Sequence, residues 1–85
     1  MEQPRYIEKA KETYSFHRAK LLSNDHWTLT KTSKALRRSL GSISEDLLIM
    51  KWFKTHEKEM MKIGTAYEAL EFIREEKKQQ DLEKI

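Results

Sequence analysis

The stretch from Thr30 to Leu48 has the sequence TKTSKALRRSLGSISEDLL, and its pattern decides the fold expected for the chain. A helix-turn-helix needs two short helices, a turn of three or four residues, and apolar anchors on both helices. Leu36 provides the anchor on the first helix, and Ile43 and Leu47 provide those on the second. We therefore predict a helix-turn-helix over about residues 28–55.

The sequence around this stretch contains few helix-breaking residues. Its only proline is Pro4, and its only glycines are Gly41 and Gly64. Long loops and β-hairpins therefore have little to be made from. We expect residues 1–85 to form a single all-α domain of four or five helices.

Apolar periodicity and cap residues place the first three helices. The first is expected over residues 4–22, the second over residues 29–37, and the third over about residues 39–55. The third helix is expected to bury one face, with Trp52 on an adjoining face. The residues of that buried face are Ile43, Leu47, Met50 and Phe53.

The C-terminal part is expected to form one or two further helices. Thr55 can cap a short helix that ends at a left-handed Gly64. Thr65 and Glu68 have capping-box spacing, so the last helix is expected to begin there. Its inward-facing residues are expected to be Ala66, Tyr67, Leu70 and Ile73. Residues 74–85 are mostly charged or amide residues, which indicates a solvated charged helix or tail.

Positive charge is concentrated in the middle of the chain. The net charge is +3, but residues 28–54 carry six basic and two acidic side chains, whereas residues 55–85 carry six basic and eight acidic ones. Between Thr28 and Ser44 there is no acidic residue, and the basic residues there are Lys31, Lys34, Arg37 and Arg38. This concentration favours a polyanionic partner over an ordinary solvated surface.

The start of the third helix is short, polar and nearly uncharged. The free amides of a helix N-terminus attract phosphate, and small hydroxyl side chains let the backbone approach a duplex closely. Basic side chains on either side would contact phosphates, and Glu45 can accept a hydrogen bond from a cytosine amino group. The residues expected to bind DNA are Lys31, Lys34, Arg37, Arg38, Ser39, Ser42, Ser44 and Glu45.

Several of these residues carry a family resemblance. The segments WTL (27–29), KTS (31–33) and SLGSISEDL (39–47), with Leu36 between them, resemble the helix-turn-helix of ParB-type partition proteins and their phage and plasmid relatives. In that family a tryptophan, a Lys-Thr-Ala segment and Leu-Gly precede a Gly-Ser-Val-Ser-x-Asp-Leu recognition helix. The resemblance continues loosely through residues 64–70 and covers about half of the chain.

The resemblance implies DNA binding, with Ser39, Ser42 and Ser44 facing the groove and Ile43 and Leu47 in structural roles. Arg37 stands where the family often has glycine in the turn. Nothing in the chain corresponds to the nuclease-like N-terminal half of complete partition proteins. The expectation is therefore DNA binding without nucleotide-driven clamping.

Other classes of function find little support. The chain has no cysteine, and His17, His26 and His56 match no metal-ligand spacing, so we expect no metal site and no cofactor. Neither a nucleophile elbow nor a glycine-rich phosphate loop is present, so we expect no catalytic residues, no small-molecule substrate and no enzyme activity. No apolar run is long enough for a membrane span, and the N-terminus lacks a secretory pattern, which favours the cytoplasm.

The expected function is DNA binding in the major groove, in transcription control, replication or partition of a phage or plasmid genome. Such proteins commonly dimerise to bind two half-sites, so the expected partners are double-stranded DNA and a second copy of the chain. The alternative is a protein–protein interaction module, such as a phage factor that docks on a host enzyme or a terminase-like packaging subunit.

Overall fold

The structure, a computed structural model, describes residues 3–83, and these form five α-helices without a β-strand. Their bounds are α1 Arg5–Ser23, α2 Leu29–Leu36, α3 Leu40–Phe53, α4 Glu57–Met61 and α5 Ala66–Glu83. The prediction of a small all-α domain is confirmed. Each predicted helix of the first three segments agrees with an observed one to within two residues at either end.

Side-chain caps start three of the helices, because the first amides of a helix have no partner within it. The Thr28 hydroxyl accepts from the Lys31 amide at 3.3 Å, and the Ser39 hydroxyl accepts from the Ser42 amide at 3.1 Å. The Thr65 hydroxyl accepts from the Glu68 amide at 3.2 Å. The cap predicted at Thr65 is therefore present, and α5 begins at the next residue.

Helix α3 lies at the centre of the domain and contacts each of the other four helices. The buried face is wider than predicted and extends around about half of the circumference, because helices pack on several sides of α3. Leu47 is only half-buried. The buried residues of α3 are Ile43, Asp46, Ile49, Met50, Trp52 and Phe53. The core adds Tyr6, Ile7 and Ala10 from α1, Met60 from α4, and Ala69 and Ile73 from α5.

A buried hydrogen bond ties the short α4 to α1. The Tyr6 hydroxyl donates to the Met60 carbonyl at 2.7 Å, which satisfies one carbonyl near the end of α4. Burial, with a smaller contribution from the negative charge of Glu68, raises the pKa of Tyr6 above its ordinary value.

Three local predictions for the C-terminal part were wrong. Thr55 does not cap α4, because its hydroxyl donates back to the Trp52 carbonyl at 3.2 Å and His56 precedes the helix. Gly64 has no positive φ, so it is not a left-handed terminator. Tyr67 faces solvent, with 72% of its surface exposed. The charged segment predicted for residues 74–85 continues α5 through Glu83, and its last two residues lie outside the described residues.

Candidate nucleic-acid interface

A three-residue turn, Arg37 to Ser39, connects α2 to α3. Arg37 has φ 55° and ψ 45°, the left-handed conformation that glycine adopts most readily. Its amide donates to the Lys34 carbonyl at 3.3 Å, and the Arg38 amide donates to the Ser33 carbonyl at 3.1 Å. These bonds satisfy carbonyls at the end of α2, so the left-handed residue allows the chain to reverse immediately into α3.

The side of α3 that points away from the core begins with small and polar residues. Ser39, Gly41, Ser44 and Glu45 are exposed, and Leu40 is 47% exposed. A Cβ atom added at Gly41 would meet no atom within 4 Å, so open space lies in front of it. The first turn of α3 therefore presents small residues and open space at Gly41, with Leu40 as its one large exposed side chain.

Ser42, by contrast, points inward from the same turn of α3. It is half-buried, and its hydroxyl accepts a short hydrogen bond from the Arg38 guanidinium. Ser42 therefore does not share the exposed side of α3 with Ser44. The structure separates these two predicted groove residues.

Arg38 forms a partly buried ion pair beneath the turn. Its guanidinium lies 2.7 Å from the Asp46 carboxylate and donates to the Thr13 hydroxyl at 2.7 Å. The Thr13 hydroxyl in turn donates to Asp46 at 2.7 Å. Only 7% of the Asp46 side chain is exposed, so the pair is largely withdrawn from water. One network therefore fixes the turn, α1 and α3 relative to one another.

The other three predicted phosphate contacts, Lys31, Lys34 and Arg37, are exposed. Lys31 and Lys34 are three residues apart on α2 and share its outer side. Within residues 3–83, no carboxylate lies within 4.0 Å of any of these three cations. The charge that the sequence concentrates here is thus free to attract an anion.

A second cluster connects Trp27, just before α2, to α1 and α2. The Trp27 indole N–H donates to the Thr32 hydroxyl at 2.7 Å, and His17 Nδ1 lies 2.6 Å from the same oxygen. The ammonium groups of Lys20 and Lys31 lie 5.4 and 5.9 Å from the centre of the Trp27 ring. Trp27 therefore packs α1 against α2 and holds two cations beside its ring.

A third cation cluster lies where α1 meets the end of α3. The Tyr14 hydroxyl accepts from Lys54 at 2.6 Å and from Arg18 at 3.1 Å. These hydrogen bonds, that of Lys54 first, lower the pKa of Tyr14 below its ordinary value. The Lys54 ammonium also lies 4.3 Å from the centre of the tyrosine ring.

Sequence reasoning missed Thr13, Thr32 and Asp46. These buried polar residues connect α1 to α2 and α3 through hydrogen bonds. Asp46 carried a usable signal, because it lies three residues after Ile43 and four before Met50. A carboxylate on that apolar face must find a cation or a hydrogen-bond donor. Thr13 and Thr32 carried no comparable signal.

Across residues 3–83, no three histidine or acidic side chains come together as a metal site. In the same range no helix is both long and apolar enough to cross a membrane. Comparison with protein-family models, with curated proteins and with solved structures gave no match for this chain.

Proposed function

We propose that this protein binds double-stranded DNA without catalysing a reaction, with α2 and α3 acting as a helix-turn-helix. The first half of α3 would enter the major groove. The observation that carries the proposal is the open, small-residue start of α3, which follows shortly after three exposed cations without a carboxylate partner. A helix N-terminus of this kind accommodates phosphate and base edges, and its cations release counterions from the duplex.

The contact residues are a revised subset of those expected from sequence. Lys31, Lys34 and Arg37 would contact phosphates, because all three are exposed and free of carboxylate partners. Ser44 and Glu45 would contact base edges from the exposed side of α3. Ser39 caps α3, and the turn before it would approach the phosphate backbone of the DNA.

Arg38 and Ser42 take a supporting role in this proposal. Their side chains bind each other, and Arg38 also pairs with Asp46. Breaking the pair to reach a phosphate would leave the buried Asp46 without its cation, which is costly. Arg38 therefore sets the angle at which α3 is presented.

The biological setting rests on the resemblance to ParB-type helix-turn-helix domains. It favours transcription control, replication or partition of a phage or plasmid genome, inside the cytoplasm of the host. A homodimer would bind two half-sites about one helical turn of DNA apart. No cofactor or small-molecule substrate is part of this proposal.

The test is the salt dependence of binding to a random-sequence duplex. The logarithm of the association constant should fall linearly with the logarithm of salt concentration, by about 0.9 for each phosphate contacted. Three cations in contact predict a slope of about −2.7 or steeper per protomer. Absence of binding at low salt, or a response independent of salt, would contradict the proposal.

One observation favours a protein partner instead. Leu40 is 47% exposed at the start of α3, and the half-buried Leu48 lies two turns further along the same side. Apolar side chains of this kind are common in interfaces between proteins. Replacing Leu40 by serine separates the two functions, because binding to a random-sequence duplex should keep its salt slope, which depends on phosphate contacts, while a hydrophobic interface should be lost.

A further inference from the structure

Between Glu68 and Lys77, exposed basic and acidic side chains of α5 lie on different sides of the helix. Arg74 and Lys77 follow Leu70 at spacings of four and three, so they share one side of the helix. Glu68, Glu71 and Glu75 follow one another at similar spacings, about a third of the circumference away. Arg74 and Lys77 therefore form a basic side on this part of α5, which ends at Asp81, four residues after Lys77 on the same side.

The structure shows what lies beside the basic side of α5. The basic side borders an open groove of about 280 Å³ between α5 and α3. The groove is lined by Glu45, Leu48, Leu70, Ile73, Arg74 and Lys77.

This groove adjoins the surface proposed to meet DNA. Glu45 lies on the exposed side of α3, one position beyond Ser44, and it shares the groove with Arg74 and Lys77. Both cations are exposed, and no carboxylate among residues 3–82 lies within 4.0 Å of either. Two further cations without a carboxylate partner among those residues thus lie beside the second turn of α3, on a helix separate from the basic stretch of α2.

We propose that Arg74 and Lys77 extend the DNA-binding surface and contact the phosphate backbone next to the groove entered by α3. This inference rests on the proposed DNA binding and adds a second, discontinuous set of phosphate contacts to it. Three residues, about 4.5 Å along the helix axis, separate the two, and their long side chains can reach neighbouring phosphates. Glu68, Glu71 and Glu75 lie about a third of the circumference away, which limits repulsion.

The experiment measures binding of a random-sequence duplex to the full chain as a function of salt. The double variant Arg74→Ala, Lys77→Ala should bind about tenfold more weakly at moderate salt, with a slope less negative by about 1.8. The control, called the α4 control, is Lys58→Ala, Lys62→Ala, which removes the same charge from an exposed lysine of α4 and from the exposed lysine that follows this helix. This control should retain the wild-type slope. Both pairs are exposed, so circular dichroism should show unchanged helix content.

The outcomes separate this inference from the proposed function. If the wild-type chain binds and the α5 variant keeps the wild-type affinity and slope, the inference is wrong and the proposed function stands. An equal effect of the α4 control would reduce the result to net charge and would also overturn the inference. If the wild-type chain itself does not bind, the proposed function is wrong, and so is the inference that rests on it.

Discussion

Arg37 and Arg38 are neighbours in the turn between α2 and α3, but the outer and inner sides of that turn give them opposite surroundings. Arg37 extends into solvent from a left-handed backbone and has no carboxylate partner among the described residues. Arg38 reaches inward to Asp46 and Thr13. The same contrast separates Ser44 from Ser42 on α3.

This comparison shows that residue type alone does not identify the binding residues of a basic, serine-rich stretch. An exposed arginine can form an ion pair with a ligand. An arginine paired with a buried carboxylate can leave it only at a large cost in free energy. The outer side of the turn is suited to binding, and the inner side sets its geometry. Variants on the two sides should therefore affect different measurements.

The largest effect is expected on the inner side. Asp46→Ala leaves Arg38 partly buried without its carboxylate and should lower the free energy of unfolding by about 3 kcal/mol. Chemical denaturation measures this loss. Glu45→Ala removes the same charge from the adjacent exposed position and should change stability by less than about 0.5 kcal/mol.

A second variant tests the ion pair through the coupling between its two members. Arg38→Ala with Asp46→Ala removes both charges, so it should cost less than the sum of the two single changes. Equal and additive losses would show that the ion pair does not couple the turn to α3, and the contrast between the two sides would collapse.

The next largest effect is expected on the outer side. Replacing Lys31, Lys34 and Arg37 by alanine should weaken binding to all duplexes by roughly a hundredfold at moderate salt, with a slope less negative by about 2.7. Stability should change little, since the three side chains are exposed. A triple alanine variant of the exposed Lys9, Lys58 and Lys62 is the matched control. If both triple variants bind alike, the placement of the interface is wrong.

A smaller effect concerns the backbone that separates the two sides. Arg37→Gly relieves a left-handed conformation that costs a side-chain-bearing residue about 1 kcal/mol, so the variant should be more stable by a similar amount. It should also lose one phosphate contact. Lys34→Ala removes the same charge from an α-helical residue and should weaken DNA binding without the gain in stability. Loss of stability in Arg37→Gly would contradict the role given to the turn.

The smallest effect is a pH dependence remote from the turn. Lys54 and Arg18 lower the pKa of Tyr14, whereas burial raises that of Tyr6, so Tyr14 should ionise before Tyr6. The stabilisation from ionised Tyr14 is present above pH 10, and it is lost as the pH falls through the lowered pKa of the folded protein. Phenolate absorbance should lose its earliest step in Tyr14→Phe, and Lys54→Ala should shift that step upward. An unchanged titration would contradict the hydrogen bonds at Tyr14.

Much of the fold could be predicted because local signals agree along the chain. The scarcity of glycine and proline indicated helices, and Thr28, Ser39 and Thr65 mark helix starts as hydroxyl residues do. The errors at Thr55 and Gly64 have one cause. Threonine and glycine can form a helix cap but need not do so. In the folded chain Thr55 forms another hydrogen bond, and Gly64 adopts another backbone conformation.

The candidate site was less predictable, because it depends on which side chains meet across helices. The basic stretch and the exposed Ser44 followed from local sequence. The pairing of Arg38 with Asp46 and Thr13 joins residues up to 33 positions apart, and nothing in the sequence assigns it to Arg38 over Arg37. The basic side of α5 was visible in the spacing of Arg74 and Lys77, but its position beside α3 required the structure.

The central position of α3 has a consequence for how the protein would respond to a ligand. Its first turn is exposed, while its later turns belong to the core shared by the other helices. The binding face therefore has no hinge of its own, and it cannot be ordered or disordered independently of the whole domain. A ligand held there would raise the melting temperature of the entire chain in one cooperative step.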